Sequence, residues 1–362
     1  MPAREFFRFV NSSLLSSFLA VKDPDKSFPI EPQKFLVIRQ HNQFGDMLAS
    51  VSLLRAIKET YPNSYTVLLA SPENYFAIEK NPYIDELFVF EKKRIFTKDY
   101  FKKFRKVLRQ NYDVAVVPAT VAVSNTSCLL ASFTDAKFKV GPASLNGIEN
   151  KLRKLFHGRI KLNWQKYPDA HVSDFILDVV RPYGITTKNY NSCVLYDEQD
   201  KKFTQDFLDS IRSGKENKVF GFHVGAAKPQ NRWSLQKYAE TIISLKQKIS
   251  FDLYFTGSNS DEEQLTFIRR HFPNAGYFLN NTIPQLAAVI EKSDLFITND
   301  TGVMHVAGTT NTPQISIFGP TNPFNWAPLG KNKFFLRKSE LIDDVKPNDV
   351  VSLAIYLLEN YA

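Results

Sequence analysis

The stretch "ITNDTGVMHVAG" (residues 297–308) closes an apolar run with Asn299, Asp300, Thr301 and Gly302, then resumes with Val303, Met304, His305 and Val306. A strand that stops at such a corner and restarts as a helix presents backbone N–H groups with no partner inside the helix. Gly302 lets a ligand approach that bare backbone, and Asp300 or Thr301 can cap the helix. The corner suits a phosphate. Three more polar turns follow apolar runs: "HVGAAKPQNRW" (223–233), which carries Lys228 and Arg232, "TGSNSDEE" (256–263) and "FGPTNPFNW" (318–326). Glycines, hydroxyls and cations in that combination suit a nucleotide diphosphate. Toward the other end, "RQHNQFGDMLAS" puts Asp46 in the first turn of a helix, where the dipole favours a carboxylate. Taken alone, Asp46 complements that dipole; set against a substrate hydroxyl, it would accept a proton.

These corners need strands and helices to hold them. From residue 34, "KFLVIRQ", "YTVLLAS", "ELFVF", "YDVAVVPA" and "AKFKVGP" read as short buried strands, alternating with helical segments such as "GDMLASVSLLRAIKETYP" and "YFKKFRKVLRQ". A second series starts near residue 218 with "KVFGFHVG", "FDLYFTGS", "GYFLN", "DLFITND" and "QISIFGP", again separated by helices. Such alternation predicts two α/β domains, each a parallel, doubly wound sheet. Ligands bind such sheets beyond the carboxyl ends of their strands, so the interdomain cleft is the expected site. Residues 1–33 form an appendage, 34–190 the first domain, 191–340 the second, and 341–362 a terminal helix entered at Pro347-Asn348, with Asn348 as its N-cap. The appendage is rich in aromatic and leucine residues, Phe6, Phe7, Phe9, Leu14, Leu15, Phe18 and Leu19, ahead of a proline-rich stretch. It reads first as a helix on the protein's own body and second as a membrane-surface segment.

The chain has 362 residues, 43% hydrophobic and 23% charged, long enough for two cores and without a run able to span a bilayer. Its two cysteines, Cys128 and Cys193, match no disulfide framework, zinc or redox spacing, which fits a cytoplasmic protein. A net charge of +9 calls for an anionic partner. The charge concentrates in "KKRIFTKDYFKKFRKVLR" (92–109) and "KLRKLFHGRIK" (151–161), with no nucleic-acid-binding module beside it. No G-x-G-x-x-G follows the first strand, which argues against a dinucleotide-dependent dehydrogenase. Asp23-Pro24-Asp25 spells D-x-D but follows no strand, so no metal ligand is assigned. His41 and His223 near strand ends read as structural.

"GDMLASVSLLRAIKETYP", "NRWSLQKYAE" and "TNDTGVMHVAGTTNTPQISIFGPTNPFNW" resemble three landmarks of glycosyltransferase family 9, the lipopolysaccharide heptosyltransferases, in order from about residue 34 to 330. The resemblance implies a GT-B fold, two Rossmann-like domains facing each other across a cleft, and inverting transfer without metal or cofactor. It implies a nucleotide-sugar donor, usually ADP-heptose, and a glycolipid or oligosaccharide acceptor of the lipopolysaccharide core type. It places the protein in the cytoplasm, with peripheral contact at the inner membrane, and has the terminal helix, 341–362, cross back to the first domain. By the same resemblance, Asp46 is the general base, Asp300, Thr301, Gly302 and His305 hold the donor's sugar and diphosphate, and Arg232 beside Trp233 neutralises the leaving diphosphate. Two positions depart from the family pattern. Asn231 stands where members often carry lysine, leaving Lys228 to supply the charge, and Asn259 stands in the donor-side turn where some members place an acid. Two other readings stay open: a nucleotide- or glycolipid-binding protein without catalysis, and a sugar-nucleotide 2-epimerase of the same architecture.

Overall fold

The computed structural model describes residues 16–40, 43–214 and 217–361. His41 and the appendage residues Phe6, Phe7, Phe9, Leu14 and Leu15 lie outside the described residues. The chain forms two compact units, Met1–Tyr190 and Asn191–Ala362.

In the first unit the strands are β1 (Lys34–Arg39), β2 (Tyr65–Ala70), β3 (Glu86–Val89), β4 (Val114–Val116), β5 (Phe138–Leu145), β6 (Ile148–Glu149) and β7 (Gly158–Leu162). The helices are α1 (Phe44–Ala49), α2 (Val51–Thr60), α3 (Lys98–Leu108), α4 (Asn125–Ser132) and α5 (Val172–Phe175). The sheet runs β3-β2-β1-β4-β5-β6, with β7 also pairing β5. All of its pairs are parallel except β5 with β6, where Asn146 and Gly147 take positive φ values of 51° and 79° and turn the chain in a two-residue hairpin. Buried on both faces, the central strands are nearly continuous apolar runs. Leu36, Ile38, Val67, Leu69, Ala115 and Val117 project to one face and pack with α3, α4 and the turn Arg153–Leu155.

In the second unit the strands are β8 (Lys218–His223), β9 (Phe251–Gly257), β10 (Gly276–Leu279), β11 (Leu295–Asn299), β12 (Gln314–Ile317) and β13 (Lys333–Leu336). The helices are α6 (Glu198–Ile211), α7 (Leu235–Lys246), α8 (Glu262–His271), α9 (Ile283–Glu291), α10 (Gly302–Ala307), α11 (Pro323–Trp326) and α12 (Pro347–Asn360). The order is β10-β9-β8-β11-β12-β13, parallel at every pair. Helix α6 is not announced by the strand-helix rhythm. Asp197 caps it by accepting from the backbone N–H groups of Gln199 and Asp200, and Phe207 packs edge-on against Tyr254.

The start of the terminal helix differs from expectation. Val350, Val351, Ala354 and Leu357 join the core of the second unit with Phe220, Trp233 and Tyr238. Its apolar stripe is complementary to the face of α7, and Trp233 fixes the approach by donating its indole N–H to the Val345 carbonyl at 3.0 Å. The helix begins two residues earlier than an Asn348 cap predicts, with Lys346 as its N-cap. Pro347 occupies its first turn, and the Asp349 carboxylate accepts the Lys346 N–H at 2.9 Å, so Asn348 is not the cap.

Candidate active site

Each sheet reverses its strand order once, between β1 and β4 in the first unit and between β8 and β11 in the second. At such a switch point the connections leave in opposite directions and open a crevice beyond the strand ends. The candidate residues other than Asn259 follow the strands that flank these two points.

In the first unit Asp46 sits in the opening turn of α1 and is only 3% exposed. It lies seven residues beyond Arg39, the last residue of β1. The Arg39 guanidinium is fully buried; it donates to Thr120 Oγ1 at 2.9 Å and to the Pro118 carbonyl at 3.5 Å, both just beyond β4. Burial lowers the Arg39 pKa, and the Asp46 carboxylate pushes it back up, so the two charges act on each other. Arg39 was not singled out by the sequence reading, although a charged residue ending the apolar run "FLVI" is a signal for it. The loop after β1 is fastened to the start of α4, where Ser127 Oγ accepts the Gln40 N–H at 3.1 Å and Ser124 Oγ donates to the Gln40 carbonyl at 3.0 Å.

In the second unit Asn299, fully buried at the end of β11, ties the switch point together. Its Nδ2 donates to the carbonyls of Val224 at 3.0 Å and Gly225 at 3.2 Å, and its Oδ1 accepts from the Trp233 N–H at 3.2 Å and the Tyr238 hydroxyl at 3.0 Å. The loop that carries Lys228, Asn231 and Arg232 is thereby pinned beside Asp300. Asn231 Nδ2 donates to Asp300 Oδ2 at 2.8 Å and to the Asp300 carbonyl at 3.2 Å. Burial raises the Asp300 pKa, while a hydrogen bond from Thr321 and the Lys228 charge pull it down. Thus the position where the family pattern often has lysine holds a neutral donor, and Lys228 is the cation that acts on this carboxyl. Arg232 donates through Nε to the Ala226 carbonyl at 2.7 Å and reaches Gln264 through Nη1 at 3.3 Å.

Thr301 is the N-cap of α10, with extended backbone and no side-chain capping bond, and Gly302 opens the helix. Neither Asp300 nor Thr301 therefore caps it through a side chain. His305, in the last turn of α10, stands edge-on to Trp326 of α11 with ring centroids 6.3 Å apart. Asn259 is exposed on the turn after β9, with its N–H donated to Asn280 Oδ1 at 3.0 Å. The acid of that turn is Asp261, two residues on. It is buried and accepts from the Ser258 N–H and hydroxyl, each at 2.9 Å. Beside it His223 is buried with Nδ1 facing the carbonyl and hydroxyl of Thr256 at 3.1 and 3.0 Å, and burial lowers its pKa, as befits a structural imidazole. Among the described residues no cluster of three or more His, Cys, Asp or Glu side chains is arranged to hold a metal ion.

Comparison with known proteins agrees with this organisation. The family model "Glycosyltransferase family 9 (heptosyltransferase)" matches residues 101–349. Lipopolysaccharide heptosyltransferase 3 of Escherichia coli (strain K12) is 24% identical over 299 residues, covering 80% of this chain and 83% of its own. Lipopolysaccharide core heptosyltransferase OpsX of Haemophilus influenzae is 23% identical over 303 residues, covering 82% of each chain. Among solved structures, a family 9 glycosyl transferase from Veillonella parvula superposes with a TM-score of 0.76 at 19% identity, over 92% of this chain and 99% of that one. The E. coli ADP-heptose lipopolysaccharide heptosyltransferase II gives 0.72 at 21% identity, over 90% and 98%. The two doubly wound units are those of the GT-B fold, and the chain is a glycosyltransferase, a member of glycosyltransferase family 9.

Proposed function

We propose that this protein transfers a heptose, or a similar sugar, from a nucleotide diphosphate donor to the lipopolysaccharide core or a related surface glycan. The names of its relatives, heptosyltransferases of lipopolysaccharide and an ADP-heptose enzyme, favour ADP-heptose as donor. The reading places the protein in the cytoplasm, with peripheral contact at the inner membrane where such an acceptor is anchored. The observation that carries it is the chemical difference between the two switch points: a buried carboxylate at one, and at the other a cation, Lys228, beside the start of a helix whose N-cap Thr301 makes no side-chain capping bond.

The reaction is a single displacement. The Asp46 carboxylate takes the proton of the acceptor hydroxyl as its oxygen attacks the anomeric carbon. The bond from that carbon to the diphosphate oxygen breaks, its electrons leave with the nucleotide, and the sugar is delivered with inversion. No metal or cofactor is invoked. Lys228, Arg232 and the first N–H groups of α10 meet the charge that develops on the leaving group. Asp300, held by Asn231, accepts hydrogen bonds from donor hydroxyls, and Thr301, Gly302 and His305 frame the sugar and diphosphate. Asn259, exposed on the turn after β9, is a further proposed donor contact. Transfer requires the base and the donor cradle to act on one reacting pair.

The test is titration with ADP-, GDP- and UDP-sugars, followed by measurement of free nucleotide diphosphate with and without a core-oligosaccharide acceptor. Acceptor-dependent release supports transfer. Binding without release supports a non-catalytic binder, for which the asparagines at 231 and 259 are the reason. Interconversion of the donor without acceptor marks an epimerase.

A further inference from the structure

Three sequence features with no part in the transfer chemistry pack on one core of the first unit. Helix α3 and the turn before it hold nine exposed lysines and arginines between residues 92 and 109 against a single exposed carboxylate, Asp99. That segment accounts for nearly all of the chain's net charge of +9. The second basic stretch contributes the turn Arg153–Leu155, whose apolar residues share one core with those of α3 and α4. The described end of the appendage reaches the same place: Leu19 packs on this core, the Val21 N–H is donated to the Lys154 carbonyl at 3.1 Å, and Lys154 Nζ donates to Ser17 Oγ at 3.4 Å.

Large aromatic side chains stand out among these cations. Phe96 is 84% exposed, Phe101 48% and Phe18 86%. The helix does not need the first two for its own packing, because Tyr100, Phe104, Val107 and Leu108 already form the inward stripe of α3. A solvated charged face has no use for them. Cations interleaved with exposed phenyl rings match a surface of acidic headgroups over hydrocarbon, where lysine and arginine meet phosphate and the rings enter the interface. No helix among the described residues is long and apolar enough to cross a membrane, so this contact would lie on the bilayer.

We propose that the face built from α3, α4 and the turn Arg153–Leu155 docks on an anionic lipid surface, with Phe96, Phe101 and Phe18 entering it. The proposal rests on the transferase reading only for its purpose, bringing the enzyme to a membrane-anchored acceptor, and its test uses no substrate.

The full chain is sedimented with vesicles of phosphatidylcholine alone or mixed with phosphatidylglycerol, at low and high salt. Binding to the anionic vesicles only, weakened by salt, is expected. Charge reversal at Lys102, Lys103, Arg105 and Lys106, each →Glu, is expected to lower partitioning roughly a hundredfold or more. Phe96→Ser with Phe101→Ser is expected to lower it about tenfold with the salt dependence retained. All of these positions are exposed, and unchanged thermal unfolding of both variants checks the fold. Equal binding to neutral vesicles, or variants that bind like the parent, overturns the proposal. So does retention on single-stranded RNA or an acidic polypeptide in place of vesicles, which assigns the face to another polyanion. A chain that transfers sugar to a soluble acceptor yet ignores anionic vesicles refutes the docking face and leaves the transferase reading standing; the reverse result does the opposite.

Discussion

Replacing Asn299 by alanine tests whether one buried amide holds the donor loop in place. The change deletes four hydrogen bonds, two donated to the Val224 and Gly225 carbonyls and two accepted from the Trp233 N–H and the Tyr238 hydroxyl. Tyr238 keeps an alternative, since its hydroxyl also donates to the His223 carbonyl at 3.2 Å. Three groups are then left without partners in the interior, at about 1 kcal/mol or somewhat more each, giving a loss of about 3–4 kcal/mol. Against a total stability of about 5–15 kcal/mol this is a large fraction. Trp233 is the reporter, because it is 1% exposed and bonded to both Asn299 and Val345. Denaturant unfolding followed by tryptophan fluorescence should show the second unit's transition at a clearly lower midpoint. Titration with ADP should show weaker binding at denaturant-free conditions, because the loop bearing Lys228, Asn231 and Arg232 has lost its anchor. A midpoint shift worth less than about 1 kcal/mol, with ADP affinity unchanged, refutes the argument.

Gly225→Ala would put a Cβ 2.1 Å from Asp261 Oδ1 and 2.6 Å from its Cγ, forcing Asp261 off Ser258; a loss of about 1–3 kcal/mol is expected, and a Gly225→Ala, Asp261→Ala double variant should lose less than the two single changes together. Lys333 donates to the Ala307 and Thr312 carbonyls, and burial pushes its pKa down from 10.5 to about 7. The folded state then binds fewer protons than the unfolded one between those values, so stability should rise as pH increases from about 7 to 10.5. Lys333→Met should flatten that slope in urea titrations run across the range; an unchanged slope contradicts the assignment. Arg39→Met removes a positive charge that acts on Asp46, and it should move the acid limb of the kcat/KM profile to higher pH, with Arg39→Lys restoring part of the shift; identical profiles for all three proteins exclude the coupling.

The strand-helix rhythm and the polar corners were legible because both are local. Short apolar runs bounded by glycine and polar turns must be buried strands, and "TNDTG" at a strand end must be a turn wherever the chain folds. Long-range partners left no such trace. Asn299 holds a backbone group 66 residues away and Asn231 a carboxylate 69 residues away, and neither spacing is written in any periodic pattern. The terminal helix shows the same limit: its apolar stripe announces that it packs, and only the shape of α7 and the Trp233 indole decide where. Arg39 escaped notice because a cation ending an apolar strand looks like its solvent boundary, whereas here the guanidinium is buried against the loop after β4.

The central claim is that Asp46 removes the acceptor proton while the second unit alone grips the donor. Asp46→Asn keeps the shape of a side chain that is 3% exposed and removes only its basicity. Single-turnover release of nucleotide diphosphate in the presence of acceptor should fall by about a thousandfold, with the donor dissociation constant unchanged. Release within tenfold of the parent, or a matching loss of donor affinity, would contradict it.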